Sequence, residues 1–222
     1  MTLPALDLAG LTAELRAAYG GLDSPARIQA FLDGIPYSAE EIYRCPLQVL
    51  RDRQAHCTDG ALFAAAGLRL LGHPPLIVDL LAERDDEHLL AVYRQDGHWG
   101  AIAKSNFVGL RYREPIYRSL RELVMSYFEV YFNVACEKTL RGYTRPLDLS
   151  ALDRLSWMTN DAHLEAVMQR LDRARRFTIL TPAMRANLNP VDERSCRAGL
   201  LGVNAAGLYR LPEARSSACD AA

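Results

Sequence analysis

The chain has no long hydrophobic run. Its longest apolar stretch, Ala61 to Leu68, falls far short of the roughly 20 residues a membrane helix needs. No charged start precedes an apolar stretch at the N-terminus, so a secretory signal is not expected. There is no excess of either charge: 26 basic and 27 acidic residues leave a net −1. Nucleic-acid binding needs a concentrated basic surface, and none is evident. The densest basic run, Arg170, Arg173, Arg175 and Arg176, has Glu165 and Asp172 among it and reads as a solvated helix face. P-loop, adenylate, flavin and nicotinamide motifs are missing, so no cofactor is expected. The five cysteines, Cys45, Cys57, Cys136, Cys196 and Cys219, are odd in number and form no CxxC pair, which fits free thiols in a reducing, cytoplasmic setting. His56, Cys57, His88 and His98 match no zinc spacing, so no metal is expected either. No internal repeat is visible.

The 222 residues are half hydrophobic, enough for one sizeable core with a helical appendage. Three early helices are expected, over residues 7–19, after Ser24-Pro25, and at a capping box, Ser38-Ala39-Glu40-Glu41. A helix from Cys57 to about Leu71 is apolar nearly all round, which buries it; Gly72 ends it. Strands follow at Leu76–Leu81, His88–Arg94 and Trp99–Ala103, the last two joined by the hairpin turn Gln95-Asp96-Gly97. This pattern predicts an α+β domain with a central buried helix packed on an antiparallel sheet. An amphipathic helix is expected over 118–132, helices near 149–157 and 161–174, and a strand at 177–180. The tail from Pro212 to Ala222 is small and polar and is expected to hang loose. The domain reading is therefore a helical cover over 1–44, a core over 45–143, and a helical extension over 144–222.

The chemistry resides in chain order. Cys57 opens a helix, where N–H groups and the helix dipole favour a thiolate and can stabilise an oxyanion. His88 follows on a strand, sharing a face with Leu90 and Val92. A histidine beside a thiol takes its proton and later returns one to the leaving group. A third group on the other ring nitrogen holds the tautomer. No acid occurs between Trp99 and Arg113, so Asn106 is the candidate for that role, with Ser105 as alternative. Gln54, Trp99 and Lys104 are candidate oxyanion or substrate contacts, though a lysine there also has the bland reading of reaching to solvent. His56 is expected to point away from Cys57. Asp59 reads as structural or as facing a substrate amine, and Asp79, Asp96 and His98 as turn and strand-end residues.

Cys57-Thr58-Asp59-Gly60-Ala61-Leu62, the helix ending at Leu71-Gly72, His88 on a strand and Trp99 opening the next together resemble the transglutaminase-like superfamily. The resemblance covers about residues 45–133, and the stretch from Trp99 to Pro115 looks like a bacterial branch. It implies a papain-like core and a Cys-His-Asp/Asn triad in this order. The missing aspartate after the tryptophan is a departure from the pattern. The resemblance implies a cysteine-dependent acyl transferase or hydrolase (amidase or peptidase) acting on a peptide, small amide or thioester through a Cys57 acyl-enzyme. The alternative is a catalytically inactive binding domain that retains the triad remnant. No nucleic-acid or membrane partner is expected, and the sequence does not set the oligomeric state.

Overall fold

The structure, a computed structural model, describes Ala13 and residues 15–210. Of the first expected helix, residues 13 and 15–18 are helical and Tyr19 is in a turn; residues 7–12 and 14, and the tail from Pro212, lie outside the described residues. Helix α1 (Pro25–Asp33) starts at Ser24, whose hydroxyl accepts from the Arg27 amide, with a proline in the first turn. Helix α2 (Pro46–Asp52) leads into α3 (Cys57–Leu70), which is buried from Thr58 to Leu68. The run of alanines lets neighbours approach α3 closely, and Gly60 is its extreme case. A Cβ at Gly60 would stand 2.2 Å from the Lys104 Cβ, so the helix can descend onto the end of the sheet only without one.

Strands β1 (Leu76–Ala82), β2 (His88–Gln95) and β3 (His98–Ile102) form an antiparallel meander. Leu80 pairs with His88 and Leu76 with Val92; Arg94 pairs with Trp99 across a turn in which Asp96 and Gly97 both take positive φ, as a two-residue hairpin requires. Strand β4 (Arg113–Tyr117) extends the β3 edge. Strands β5 (Leu140–Thr144) and β7 (Arg176–Thr178) extend the β1 edge, and β6 (Leu147–Asp148) pairs with the other end of β1. The result is a seven-stranded sheet of order β4-β3-β2-β1-β5-β7 with β6 off the path.

Alternation along the strands divides the core into layers. Ile77, Leu89, Ala91, Tyr93 and Ile102 pack with α3, α1 and α5 (Leu164–Asp172). Val78, Leu80, Leu90, Val92, Ala101 and Ala103 pack on the other face, against Leu123 and Val124 of α4 (Leu120–Met125) and against Tyr127, Phe128 and Tyr131. The expected α+β fold, a buried helix on an antiparallel sheet, is therefore what is found.

Several local expectations differ. Ser38 to Cys45 is not helical; Ser38 Oγ accepts from the Glu40 amide and the buried Arg44 guanidinium, so tertiary pairing overrides the capping-box signal. The 118–132 helix breaks after Met125 and resumes only as a 3-10 turn at Phe128–Val130. The segment near 149–157 is a 3-10 helix, Leu149–Leu155. The C-terminal third is not purely helical, because β6 and β7 join the main sheet ahead of the short helices α6 (Pro182–Ala186) and α7 (Glu193–Gly199). Finally, Cys136 and Cys196 are joined in a disulfide that ties α7 to the loop before β5. The expectation of free thiols is corrected for this pair, and with it goes the ground for inferring a reducing compartment. Among the described residues, no helix is long and apolar enough to cross a membrane.

Candidate active site

Cys57 occupies the first position of α3, and His56 is the N-cap. The His56 Nε2–H donates to the Ile42 carbonyl (2.9 Å), which leaves Nδ1 to accept from the amides of Thr58 (3.1 Å) and Asp59 (3.4 Å). The cap thus consumes donors that could otherwise stabilise an oxyanion, and leaves the Cys57 amide as the remaining candidate. The Tyr37 phenol lies beside that amide and the thiol. Asp59 closes the capping box on the His56 amide (3.2 Å) and accepts from the Arg44 amide (2.7 Å) and guanidinium (3.4 Å). Asp59 is 0% exposed and Arg44 1%. Arg44 also pairs with Glu40 and Asp52, so Asp59 is a structural anchor and does not face substrate.

His88 opens β2 with its ring on the face opposite α3, edge-on to Tyr131. Its Nε2 stands 2.8 Å from the Leu110 carbonyl. A carbonyl can only accept, so Nε2 carries the proton and Nδ1 keeps a lone pair. Burial lowers the His88 imidazole to about 4; the Leu110 carbonyl opposes this and the Arg113 charge adds to it. Burial also pushes the Cys57 thiol up to about 11, against the favourable Leu89 amide and Thr58 side chain and with help from Asp79 and Asp59. At neutral pH the thiol is therefore protonated and the imidazole neutral. The Cys57 sulfur contacts the Glu87 carbonyl at 3.9 Å, and no hydrogen bond joins it to the His88 ring.

Both side chains nevertheless line one narrow cavity of about 40 Å³, shared with Ser105, Asn106, Leu110, Tyr131, Gly207 and Tyr209. On the Cys57 side lies a wider groove of about 820 Å³, walled by Tyr37, Tyr43, Glu87 and Ala206–Arg210.

The remaining expected site residues lie elsewhere or are engaged otherwise. Asn106 does not orient His88: its carboxamide bonds the main chain of Asn204 and Gly207, and the Leu110 carbonyl holds the ring instead. The Ser105 hydroxyl accepts from the Phe107 amide (2.9 Å), and the His88 ring N–H is taken by the Leu110 carbonyl rather than by Ser105. Lys104 reaches neither substrate space nor solvent; it is 7% exposed and its Nζ donates to the carbonyls of Leu32 (2.8 Å) and Ile35 (2.5 Å) past the end of α1. Trp99 pairs with Arg94, at the far end of the hairpin from His88, and so cannot contact the Cys57 cleft. The Gln54 amide points to Glu40 (3.4 Å) rather than toward the thiol. Among the described residues, no cluster of three or more histidine, cysteine or acid side chains could hold a metal ion.

Asp79, expected at a strand end, lies instead in the middle of β1. It is 3% exposed, stands opposite Leu89 on the α3 face, and its Oδ1 has no hydrogen-bond partner. Burial, with Glu87 next, holds its carboxyl well above the usual range. A lone acid inside Leu76-Ile77-Val78-Asp79-Leu80-Leu81, in phase with Ile77 and Leu81, was the available signal. The Leu110 carbonyl left no signal, because a main-chain acceptor has no residue signature.

No family model matches the chain, and no curated relative does. Among solved structures it is similar to LapG from Legionella pneumophila (EGTA-treated), at 11% identity and a TM-score of 0.37, covering 76% of this chain and 100% of that one. At that TM-score the likeness bears on neither activity nor site residues.

Proposed function

We propose that the chain is a cysteine-dependent acyl-transfer enzyme of transglutaminase-like type. The observation that carries this reading is the His88 tautomer: Nε2–H is tied to a carbonyl, and Nδ1 keeps its lone pair on a ring that lines the same cavity as Cys57. In the reaction the thiol proton passes to Nδ1 and the sulfur attacks an amide or thioester carbonyl. The Cys57 amide and the Tyr37 hydroxyl donate to the oxyanion. The imidazolium returns its proton to the leaving amine or thiolate, and an amine or water then releases the acyl group. The Leu110 carbonyl serves as orienter. It holds the tautomer but supplies no full negative charge, so it stabilises imidazolium less than a carboxylate would.

A second reading, an inactive binding domain, draws support from the protonated thiol and from the missing bond between Cys57 and His88. Intact-mass analysis after exposure to a thioester panel separates the two. An acyl adduct on the parent, missing from Cys57→Ala and at least about tenfold slower to form in His88→Ala, is expected for a proton-transfer partner. Turnover-free binding of the same compounds by the parent and Cys57→Ala alike would establish the second reading.

A further inference from the structure

We propose that Asn106 heads a peptide-binding subsite beside Cys57, and that the chain's own segment Val203–Arg210 fills it as a ligand in cis. Asn106 reads main chain. Its Oδ1 accepts from the Asn204 amide (2.8 Å) while Nδ2 donates to the carbonyl of the same residue (2.9 Å). Exchanging both bonds with one residue is what a neighbouring strand does. Nδ2 also donates to the Gly207 carbonyl (3.1 Å), and the Asn204 side chain donates to the Tyr37 carbonyl (3.1 Å). None of the bonds from Asn106 depends on a ligand side chain, so the subsite takes peptide backbone as a class.

The fit is close where the segment passes Tyr37. A Cβ at Gly207 would lie 3.0 Å from Tyr37 Cε1 and 3.4 Å from Asn106 Nδ2, so small residues are favoured there. Gly207 and Tyr209 then complete the cavity that Cys57 and His88 share. The space left between thiol and imidazole is about 40 Å³, so the seated segment narrows the approach to His88 while the wider groove of about 820 Å³ still reaches Cys57. The contacts are few and lie at the surface, and the Cys136–Cys196 disulfide keeps the segment near the cleft after it lets go. A peptide substrate therefore displaces a tethered competitor. That catalytic consequence rests on the acyl-transfer reading, whereas the binding itself does not.

The test is alkylation of Cys57 by iodoacetamide in the full chain, followed by peptide mapping so that Cys219 is counted separately. Asn106→Ala, which loses three surface hydrogen bonds, and Gly207→Val, which loses the close fit against Tyr37, are each expected to label at least about tenfold faster than the parent. A synthetic octapeptide of residues 203–210 is expected to slow labelling of Gly207→Val, whose Asn106 is intact, and to leave Asn106→Ala unprotected. Circular dichroism is taken first. Asn204→Pro removes the amide that Asn106 reads at a φ of −77° that proline tolerates, and it replaces either variant that does not fold. Rates unchanged from the parent in both variants, or no protection by the octapeptide, overturn the proposal. Because the readout is thiol access, a strap that behaves as expected in a protein that forms no acyl adduct would overturn the acyl-transfer reading alone.

Discussion

The meander β1–β2–β3 and the C-terminal segment beyond α6 are walls of the same cleft held by different physics. In the meander, ladder bonds and two apolar layers hold every residue from Leu90 to Val92 at 0% exposure. The C-terminal wall buries little: Leu201 is 76% exposed, and the segment is held by the disulfide, the Asn106 carboxamide and the Tyr37 carbonyl. The wall bearing His88, with the buried helix α3 that carries Cys57 packed on it, is thus built to stay, and the wall bearing Gly207 and Tyr209 to move. Low-stability elements are where ligand-gated motion is drawn from.

The sharpest way to break this contrast is to damage the firm wall. Phe63 of α3 is fully buried and stacked between Tyr19 (4.6 Å) and Phe31 (4.7 Å). Phe63→Ala is expected to lose about 3–5 kcal/mol in urea unfolding. A loss under about 1 kcal/mol would mean that α3 repacks freely and is no rigid support for Cys57.

A somewhat smaller effect should come from His88 through pH. Its folded value is depressed from 6.5 to about 4, so its contribution to stability is full above the unfolded value and falls as pH drops from 6.5 toward 4. Over that window the loss is about 3 kcal/mol, at roughly 1.4 per unit. His88→Asn should flatten this part of the profile, measured as the parent-minus-variant difference in thermal unfolding. The difference matters because Asp85, raised to about 6 mainly by burial, works in the opposite direction over part of the same range. A variant profile parallel to that of the parent would show that the imidazole is hydrated and not buried as described.

The smallest global effect is expected from the soft wall. Closing a loop between residues 60 apart bounds the disulfide's stabilisation at about 4 kcal/mol in the chain-entropy account. Because the C-terminal segment unfolds more readily than the core, a Cys136→Ala/Cys196→Ala variant should lose under about 2 kcal/mol globally. Amide exchange should accelerate over residues 192–207 and stay unchanged in β1 and β2. Acceleration spread evenly over both regions would erase the distinction between the walls.

What could be read from the residues follows the same division. The alanine-rich run after Cys57, the apolar alternation of β1 and β2, and Asp96-Gly97 are local signals, and the structure follows them. The Ser38–Glu41 signal failed because Arg44 draws Glu40, Asp52 and Asp59 around itself, from positions up to 15 residues away from it. Lys104 is expected either to contact substrate or to reach solvent, yet it is buried against carbonyls 69 and 72 residues away. Asn106 is the candidate for the third position because no acid occurs between Trp99 and Arg113 and a carboxamide oxygen can accept from the ring N–H. Its partners lie 98 and 101 residues further on, and nothing near it in the chain pointed there.

The sequence by itself determined that Cys57 heads a buried helix and that His88 begins a strand, because helix starts and strand alternation are short-range consequences of side-chain size, branching and polarity. Only the tertiary structure decided that a main-chain carbonyl holds the imidazole, that a buried acid with one unpaired oxygen acts on the thiol, and that the C-terminal segment roofs the cleft. Those are contacts between distant stretches of chain. They are decided by which groups find partners once the apolar layers have closed, and no local pattern encodes that outcome.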